Sequence, residues 1–272
     1  MLTRRIDGTL HATTILQQTK ELISINKLSP RLLIIQVGNN EASSLFVSLK
    51  QKKGAAIGIH VDICRIPTAS EAKVTSAIRN YISATKNSVD GIMIQLPLPS
   101  GFSSERILKL IPKNLDVDGL LLQSSPYPTA VAAAVWELLE KEKLKDKHIT
   151  VIGSSPYVGG SVAHLLNKKG LTHYKVIDES TPNKPEHLKR ADIVISCVGK
   201  PHIYNAQDLK QGAILIDVGT SKNSEGKIVG DFDTTAANGY LTAYSPVPGG
   251  VGPVTVAKLL QHTAMNALLL AR

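Results

Sequence analysis

A lysine, a glutamine and two aspartates are the residues whose types and spacing best suit chemistry. Lys50 lies in SLFVSLKQKKG four residues after Phe46, so both side chains share one face of a predicted helix. An aromatic ring beside an ammonium could bind a planar ligand, but a core phenylalanine beside a solvated lysine has the same spacing. Gln95 follows the apolar run GIMI, where α/β proteins place ligand-binding groups and where an amide can also simply cap a strand.

Asp116 and Asp118 lie two residues apart in the predicted loop LDVDG. Either both carboxylates are solvated, or one of them binds paired N–H donors of a polar heterocycle, a geometry that suits carboxylates. A calcium loop is not predicted, because the further acidic ligands and the closing glutamate are missing. No metal site is expected elsewhere, since the eight histidines show no metal-binding spacing.

A glycine-rich turn, VIGSSPYVGG, lies between a predicted strand and a predicted helix. Short residues at Gly153, Ser155 and Gly159 would let the backbone approach a pyrophosphate at the helix N-terminus. Because Ser155 replaces the second glycine of the usual G-x-G-x-x-G pattern, a purely steric turn remains open. Asp178 closes the next strand, where an acid commonly binds a ribose 2′-hydroxyl and favours NAD. An ordinary turn residue fits there as well, and nearby lysines could instead pair with a 2′-phosphate.

Strand-like and helix-like patterns alternate along the chain, and these elements must position the residues above. Strands are predicted at 31–37, 60–66, 89–96, 149–153, 173–178, 193–199 and 213–219, and helices at 42–57, 71–86, 129–143, 158–169 and 254–271. Continuous apolar strands separated by helices imply parallel sheets covered on both faces, so the predicted fold class is α/β. A Pro/Ser-rich stretch at 123–128 predicts a boundary between domain 1–125, completed by the tail helix 253–272, and domain 126–252.

Composition narrows the classes of partner. The 272 residues carry 31 Lys+Arg and 22 Asp+Glu, a net charge of +9. Aromatic residues make up only 4% and the basic residues form no block, which argues against nucleic acid and leaves small anionic ligands or solvated side chains. No apolar run reaches the ~18–20 residues of a membrane span, and the first residues lack a secretory signal, so no membrane partner is predicted. Two cysteines in apolar strands fit a reduced, cytoplasmic setting.

Eight segments together resemble the bifunctional methylenetetrahydrofolate dehydrogenase/methenyltetrahydrofolate cyclohydrolase family (FolD type). They are IDGTLHA, VGNNEASSLFVSLKQKKGAAIGI, DGIMIQLPLPSG, LDVDG, VIGSSPYVGG, ADIVISCVGKP, GAILIDVGTS and PVPGGVGPVTVAKLL, and they run nearly end to end. QLPLP, DVDG and PVPGGVGP in this order form a specific combination, which a shikimate dehydrogenase of similar length would not explain.

The resemblance implies two α/β domains, an N-terminal catalytic domain with a parallel sheet and a C-terminal Rossmann-like domain that binds NADP or NAD. It implies a homodimer that acts in one-carbon metabolism. The implied reaction oxidises 5,10-methylenetetrahydrofolate to 5,10-methenyltetrahydrofolate with NAD(P)+ and hydrolyses the latter to 10-formyltetrahydrofolate.

The resemblance also assigns site residues. Lys50 matches the catalytic lysine, Gln95 the glutamine that tunes it, and Asp118 the aspartate that holds the pterin ring. The remaining substrate-binding residues are Phe46, Leu96, Pro97, Pro248, Gly249, Gly250 and Pro253. The cofactor-binding residues are Gly153, Ser154, Ser155, Val158, Gly159, Asp178, Gly199 and Thr220, the last beside the nicotinamide.

Three departures from the family pattern bear on activity. Phe46 stands where the family usually has tyrosine, so the ring remains but its hydroxyl is lost, and the cyclohydrolase rate is the quantity at risk. Ser154 stands where an arginine is often found and Asp178 where a histidine is common, so the choice between NADP and NAD stays open. The alternatives are therefore a dehydrogenase with weak or no cyclohydrolase activity, or a non-catalytic folate-binding relative.

Overall fold

The first half of the chain alternates helix and strand in the computed structural model, which describes residues 2–271. Its elements are β1 (Arg4–Arg5), α1 (Gly8–Ile25), β2 (Arg31–Val37), α2 (Glu41–Ala56), β3 (His60–Ile66), α3 (Glu71–Thr85), β4 (Gly91–Ile94) and α4 (Ser104–Leu108). The strands predicted at 31–37 and 60–66 are confirmed residue for residue. The strand predicted at 89–96 is shorter than expected, because the chain leaves the sheet at Gln95.

The second half continues the alternation and adds several two-residue strands. Its elements are α5 (Ala130–Leu139), β5 (Ile149–Ile152), α6 (Gly159–Lys168), β6 (Tyr174–Ile177), α7 (Lys184–Arg190), β7 (Ile193–Ser196), β8 (Tyr204–Asn205), β9 (Ile214–Asp217), β10 (Ser221–Lys222), β11 (Ile228–Val229), β12 (Phe232–Asp233), β13 (Ala243–Tyr244) and α8 (Val251–Leu270). The helix predicted at 129–143 ends earlier, at Leu139. Leu139 is fully buried, whereas Glu140 and Lys141 are exposed and offer no apolar surface to pack.

Two parallel sheets confirm the predicted α/β class. The smaller sheet has the strand order β3-β2-β4, with Arg31 opposite His60 and Leu32 opposite Gly91. The larger sheet has the order β1-β13-β9-β7-β5-β6, and each of its pairings is parallel. The central strand β2 is buried along its length from Leu32 to Val37, as expected for a strand covered by helices on both faces.

The chain divides into two compact units. The N-unit contains Thr14–Pro128 and the chain from Leu259, and the C-unit contains Thr129–Lys258 and the chain up to Thr13. The unit boundaries therefore fall inside α1 and α8 and at residue 128. The sequence-based boundaries at 125 and 252, with their assignment of functions, stay a prediction.

Two further expectations concern cysteines and helices. Cys64 and Cys197 are both free and buried, as their apolar surroundings predict. Within residues 2–271, no helix is both long enough and apolar enough to cross a bilayer.

Candidate active site

Helix α2 places Lys50 inside the N-unit. The helix begins where the Asn40 side chain accepts a hydrogen bond from the backbone N–H of Ser43. Its buried residues, Ser43, Val47, Lys50 and Gly54, follow the spacing of one helix face. Lys50 is therefore only 8% exposed, while Phe46 is 37% exposed. The structure thus contradicts the alternative in which the phenylalanine packs in the core and the lysine is solvated.

Gln95 binds the Lys50 ammonium directly. Lys50 Nζ donates to Gln95 Oε1 over 2.8 Å, and both side chains are buried. The Gln95 amide is oriented by a second hydrogen bond, from its Nε2 to the carbonyl oxygen of Leu96. Its backbone N–H donates to Ile35 on the neighbouring strand, so the end of β4 fixes the position of the side chain. The structure thus brings together two residues that are 45 positions apart in the chain.

Asp118 places a negative charge near the Lys50 ammonium. Burial lowers the pKa of the Lys50 ammonium below its ordinary value, and the negative charge of Asp118 opposes part of that shift. Burial raises the pKa of Asp118 to about 6, with Lys50 acting to lower it and Asp116 acting to raise it. Both pKa values move towards neutrality, which is the range in which a side chain can exchange protons with a substrate.

The Asp116 side chain is buried and stabilises the loop. It is fully buried, and its carboxylate accepts hydrogen bonds from the backbone N–H groups of Leu120 and Leu121 at 3.2 and 2.8 Å. Its carbonyl oxygen accepts a further bond from Ser125 Oγ. Of the two aspartates in LDVDG, Asp116 folds the loop and Asp118 remains partly exposed for a ligand.

Helix α8 also holds the loop that carries Asp118, through side chains that no sequence motif indicated. His262 Nδ1 lies 3.0 Å from the carbonyl oxygen of Val117, and the His262 ring stacks on Tyr127 at 4.6 Å between centroids. Asn266 Nδ2 donates to the carbonyl oxygens of Asp90 and Asn114. These three side chains lie within the N-unit and form a polar cluster behind the loop. The four-residue spacing of His262 and Asn266, which places both side chains on one face of α8, is a signal that could have indicated it.

The remaining predicted substrate residues of the N-unit surround Lys50 and Gln95 in sequence and remain accessible. Phe46 is exposed one helical turn before Lys50, and Leu49 on the same helix is 38% exposed. Leu96 is half-buried, Pro97 is exposed, and the peptide bond between them is cis. This combination of an exposed ring and a buried amine is suited to a flat ligand with polar edges.

The C-unit contains a separate cavity of about 450 Å³ at the ends of β5, β6 and β7. Four predicted cofactor residues, Gly153, Ser154, Ser155 and Asp178, line this cavity. Gly153 has a φ of +100°, and a Cβ on it would lie 2.6 Å from the carbonyl oxygen of Cys197. A Cβ on Gly159 would overlap the carbonyl oxygen of Gly153. Glycine at these two positions is therefore a steric requirement of the turn as well as a means for a ligand to approach it.

The polar groups around this cavity suit a phosphate and a ribose. The cavity lies beside the start of α6, and the N-terminus of a helix favours negative charge. The Asp178 carboxylate accepts hydrogen bonds from Ser180 and Thr181. The bond from Ser180 is the main reason that the pKa of Asp178 is lowered. Lys184 donates to the carbonyl oxygens of Asp178 and Glu179, and Lys200 pairs with the Glu179 carboxylate. The Asp178 carboxylate could thus accept from a ribose and the start of α6 could meet a phosphate, whereas both nearby lysines already have partners.

Four other predicted cofactor residues do not line the cavity. Val158 and Gly159 form the start of α6, and Gly199 lies in the turn after β7 with a φ of +76°. Thr220 is exposed in the segment after β9. Their predicted contacts stay predictions.

The loop with the predicted folate residues Pro248, Gly249, Gly250 and Pro253 packs against the start of the chain. Gly249 has a φ of +104° and neighbours Arg5 and Thr9. A Cβ on Gly8 would overlap the carbonyl oxygen of Gly250. Pro248 is exposed after a cis peptide bond, and Pro253 lies in the first turn of α8, where proline is tolerated. The motifs IDGT and PVPGG are therefore two sides of one close backbone contact.

Comparison with protein families covers nearly the whole chain. Residues 6–118 match the family described as tetrahydrofolate dehydrogenase/cyclohydrolase, catalytic domain. Residues 129–270 match the one described as tetrahydrofolate dehydrogenase/cyclohydrolase, NAD(P)-binding domain. The two matches together include every predicted site residue.

Individual relatives are similar over comparable lengths. The bifunctional protein FolD of Staphylococcus carnosus is 33% identical over 261 residues, which is 92% of this chain and 90% of that protein. The structure of the bifunctional enzyme FolD from Campylobacter jejuni superposes with a TM-score of 0.90 at 29% identity, covering 98% of this chain and 99% of that one. The Trypanosoma brucei FolD structure, complexed with NADP and an inhibitor, gives 0.89 at 27% identity, covering 100% and 99%.

The raised pKa of Asp118 predicts a pH-dependent gain in stability when the carboxylate is removed. The folded state holds the Asp118 proton more tightly than an ordinary aspartate, with a pKa of about 6 against 3.8, so the ionised carboxylate destabilises the fold as pH rises through 6. We expect Asp118→Asn to raise the free energy of unfolding at pH 8 by about 1–3 kcal/mol. Near pH 3, where the wild-type carboxyl is mostly protonated in both states, the difference should nearly vanish.

Denaturant unfolding of both proteins at pH 8 and pH 3 measures this difference. Asp146→Asn, a substitution of an exposed aspartate in the turn after α5, is the matched control and should show no such dependence. An effect of Asp118→Asn that is equal at both pH values would contradict the assignment.

Proposed function

The chain belongs to the tetrahydrofolate dehydrogenase/cyclohydrolase family of NAD(P)-dependent enzymes, and on that premise we propose its reaction and the residues that perform it. The substrate is 5,10-methylenetetrahydrofolate, which is oxidised to 5,10-methenyltetrahydrofolate and then hydrolysed to 10-formyltetrahydrofolate. The observation that carries this proposal is the buried hydrogen bond between Lys50 and Gln95 beside the partly exposed Asp118. It supplies an amine of lowered pKa next to an acceptor for a heterocycle.

Asp118 is proposed to hold the pterin ring. Its carboxylate offers two acceptor oxygens, which match paired N–H donors at the edge of a pterin. With a pKa of about 6, it is mostly ionised at neutral pH and can accept both bonds. The exposed ring of Phe46 is proposed to stack on the flat part of the substrate.

The dehydrogenase step needs positioning more than acid–base chemistry. A bound nicotinamide dinucleotide supplies the hydride acceptor. The cavity residues Gly153, Ser154, Ser155 and Asp178 are proposed to bind its phosphates and ribose. Lys50, Gln95 and Asp118 orient the folate, so that its methylene carbon loses hydride and becomes the delocalised methenyl cation.

The hydrolytic step is proposed to use Lys50. Water adds to the methenyl carbon, and the bond from that carbon to one ring nitrogen then breaks to give the formyl group. Neutral Lys50 can accept a proton from the attacking water, and the resulting ammonium can return it to the leaving nitrogen. The second proton of the water leaves the hydroxyl group for solvent as the formyl C=O bond forms. Burial, which lowers the pKa of Lys50, makes the neutral form accessible. Gln95 Oε1 accepts from Nζ and fixes the direction of its remaining protons.

The alternatives raised by Phe46 and by the changes at the cofactor site are not favoured. The curated relatives that match this chain are named bifunctional proteins, and Lys50, Gln95 and Asp118 are all present. The missing hydroxyl bears on the rate of hydrolysis rather than on the class of reaction.

The proposal also includes the oligomeric state and the cellular compartment of the protein. The family resemblance supports a homodimer, which size-exclusion chromatography with light scattering would test. The two free, buried cysteines support a reduced, cytoplasmic setting.

Replacement of Lys50 should separate folate hydrolysis from cofactor binding. With methylenetetrahydrofolate and NAD or NADP, wild-type protein should generate methenyl absorbance. We expect Lys50→Met, which removes the amine but keeps the stem, to slow hydrolysis of supplied methenyltetrahydrofolate by roughly a hundredfold or more, the usual effect of losing a general acid–base group. Dinucleotide affinity should stay unchanged.

The control is Lys52→Met, a substitution of an exposed lysine on the same helix that should behave as wild type. An unchanged hydrolysis rate in Lys50→Met would remove Lys50 from the mechanism. Absence of turnover in wild type with either dinucleotide would refute the proposed reaction.

Restoring the hydroxyl at position 46 should increase hydrolysis selectively. Phe46→Tyr adds an O–H on an exposed ring one turn from Lys50, where it can be accommodated without repacking. We expect the hydrolysis rate to rise roughly fivefold, the equivalent of about one hydrogen bond. The dehydrogenase rate, measured in the same preparation, is the internal reference, and a parallel change in both rates would contradict the interpretation.

Asp178 should discriminate between the two dinucleotides. Its carboxylate can accept from a ribose 2′-hydroxyl and would repel a 2′-phosphate. We expect Asp178→Ala to weaken NAD binding roughly tenfold and NADP binding much less, the usual size for a hydrogen bond to a charged group. Titration of both dinucleotides into wild type, Asp178→Ala and the exposed control Glu186→Ala measures this effect. Equal loss for NAD and NADP would indicate that Asp178 only folds its own turn.

A further inference from the structure

A buried aspartate pair lies behind the cavity of the C-unit. Asp231 is fully buried and Asp217 is 2% exposed, so neither can touch a ligand in the cavity. Neither aspartate was singled out from the sequence. Buried carboxylates are costly unless they are hydrogen-bonded, so their partners indicate what they hold in place.

Asp231 organises the turn that follows β7. Its Oδ2 accepts from Ser196 Oγ at 2.6 Å and from the Val198 N–H at 2.9 Å. Its Oδ1 accepts from the Gly199 and Lys200 N–H groups at 2.8 and 3.0 Å. Three consecutive backbone donors thus converge on one carboxylate, as in the concave backbone nests that bind anions. Val198 and Lys200 line the cavity, so this carboxylate shapes one of its walls.

The backbone carbonyl groups of Gly230 and Asp231 bind the next part of the cavity wall. The carbonyl oxygen of Gly230 accepts from the His202 N–H at 3.0 Å, and that of Asp231 accepts from the Tyr204 N–H at 3.2 Å. Tyr204 also lines the cavity. The cavity wall from Val198 to Tyr204 therefore depends on hydrogen bonds to the two residues Gly230 and Asp231, neither of which is a predicted site residue.

Asp217 joins this segment to the turn after β9. Its carboxylate accepts from the N–H groups of Gly219 and Phe232, each at 2.9 Å. A Cβ on Gly219 would overlap the Asp231 carboxylate, and a Cβ on Gly230 would overlap that of Asp217. Asp231 thus requires a glycine at position 219, in the turn that Asp217 holds, and Asp217 requires one at position 230, next to Asp231. Burial raises the pKa of Asp217 to about 7, and the charge of Asp231 adds to the shift.

We propose that Asp231 is a positioning residue for the nicotinamide dinucleotide, because its carboxylate sets the shape of the turn Val198–Lys200 that borders the cofactor cavity. The proposal rests on the proposed function, since it assumes that this cavity binds the dinucleotide. Asp231 acts through the backbone it holds and makes no contact with the cofactor.

Asp231→Asn tests the proposal with the smallest change in volume. The new NH2 group must face at least one N–H donor of the turn, so one or two hydrogen bonds are lost without creating a cavity. We expect the Kd of NAD or NADP, measured by titration, and the KM of the dehydrogenase for it to rise roughly tenfold or more. Hydrolysis of supplied methenyltetrahydrofolate, which needs no dinucleotide, should stay within about twofold of wild type. A merely structural role would lower both activities together.

Asp233→Asn is the matched control. Asp233 lies two residues from Asp231, but its carboxylate accepts from the N–H of Thr235 and not from the turn Val198–Lys200. Should Asp231→Asn lack the wild-type circular dichroism spectrum, Ser196→Ala decides, since it removes only the Oγ donor to Asp231 and should raise the dinucleotide Kd by a smaller factor. A dinucleotide Kd that stays at the wild-type value in the folded variant overturns this proposal alone. Wild-type protein that binds neither dinucleotide overturns both this proposal and the proposed function.

Discussion

A lysine amine withdrawn from water is the constraint on which the N-unit site depends. An isolated buried ammonium is unfavourable by several kcal/mol, so Lys50 needs a compensating acceptor and a nearby negative charge. Gln95 supplies the acceptor, and Asp118 supplies the charge. This arrangement requires α2 to begin at Asn40, so that the buried face of the helix includes Lys50, and requires β4 to end immediately before Gln95.

The same physical rule organises the C-unit with the opposite charge. There the buried groups are carboxylates, and backbone N–H donors satisfy them. Asp231 binds the turn after β7, and Asp217 binds the turn after β9, so two buried carboxyl groups fix two neighbouring strand exits. Removal of Asp231 would leave several backbone N–H groups of the C-unit without their acceptor, and removal of Lys50 would leave the Gln95 carbonyl oxygen without its donor. Each site is thereby preorganised before any ligand binds.

Periodicity located the strands of four to seven residues well and the two-residue strands not at all. The strands at 31–37 and 60–66 agree in every residue, because long apolar runs carry a strong signal. The two-residue strands, such as β8 and β12, are defined only by the partner strand and leave no pattern in the sequence. The predicted helix 129–143 was too long, because helix propensity continues through its charged residues although packing stops at Leu139.

The sequence by itself determined the α/β class, the family and the motifs that contain Lys50, Gln95, Asp118 and the glycine turn at Gly153. These features depend on residue identity and on local spacing, which are written in the chain. Only the tertiary structure decided that Lys50 is buried and Phe46 exposed, and that Asp116 folds the loop that presents Asp118. It alone identified His262, Asn266 and Asp231 as groups that hold functional loops. The physical reason is that burial, pKa and hydrogen-bond partners depend on contacts between distant residues, as with His262 and Val117, 145 positions apart.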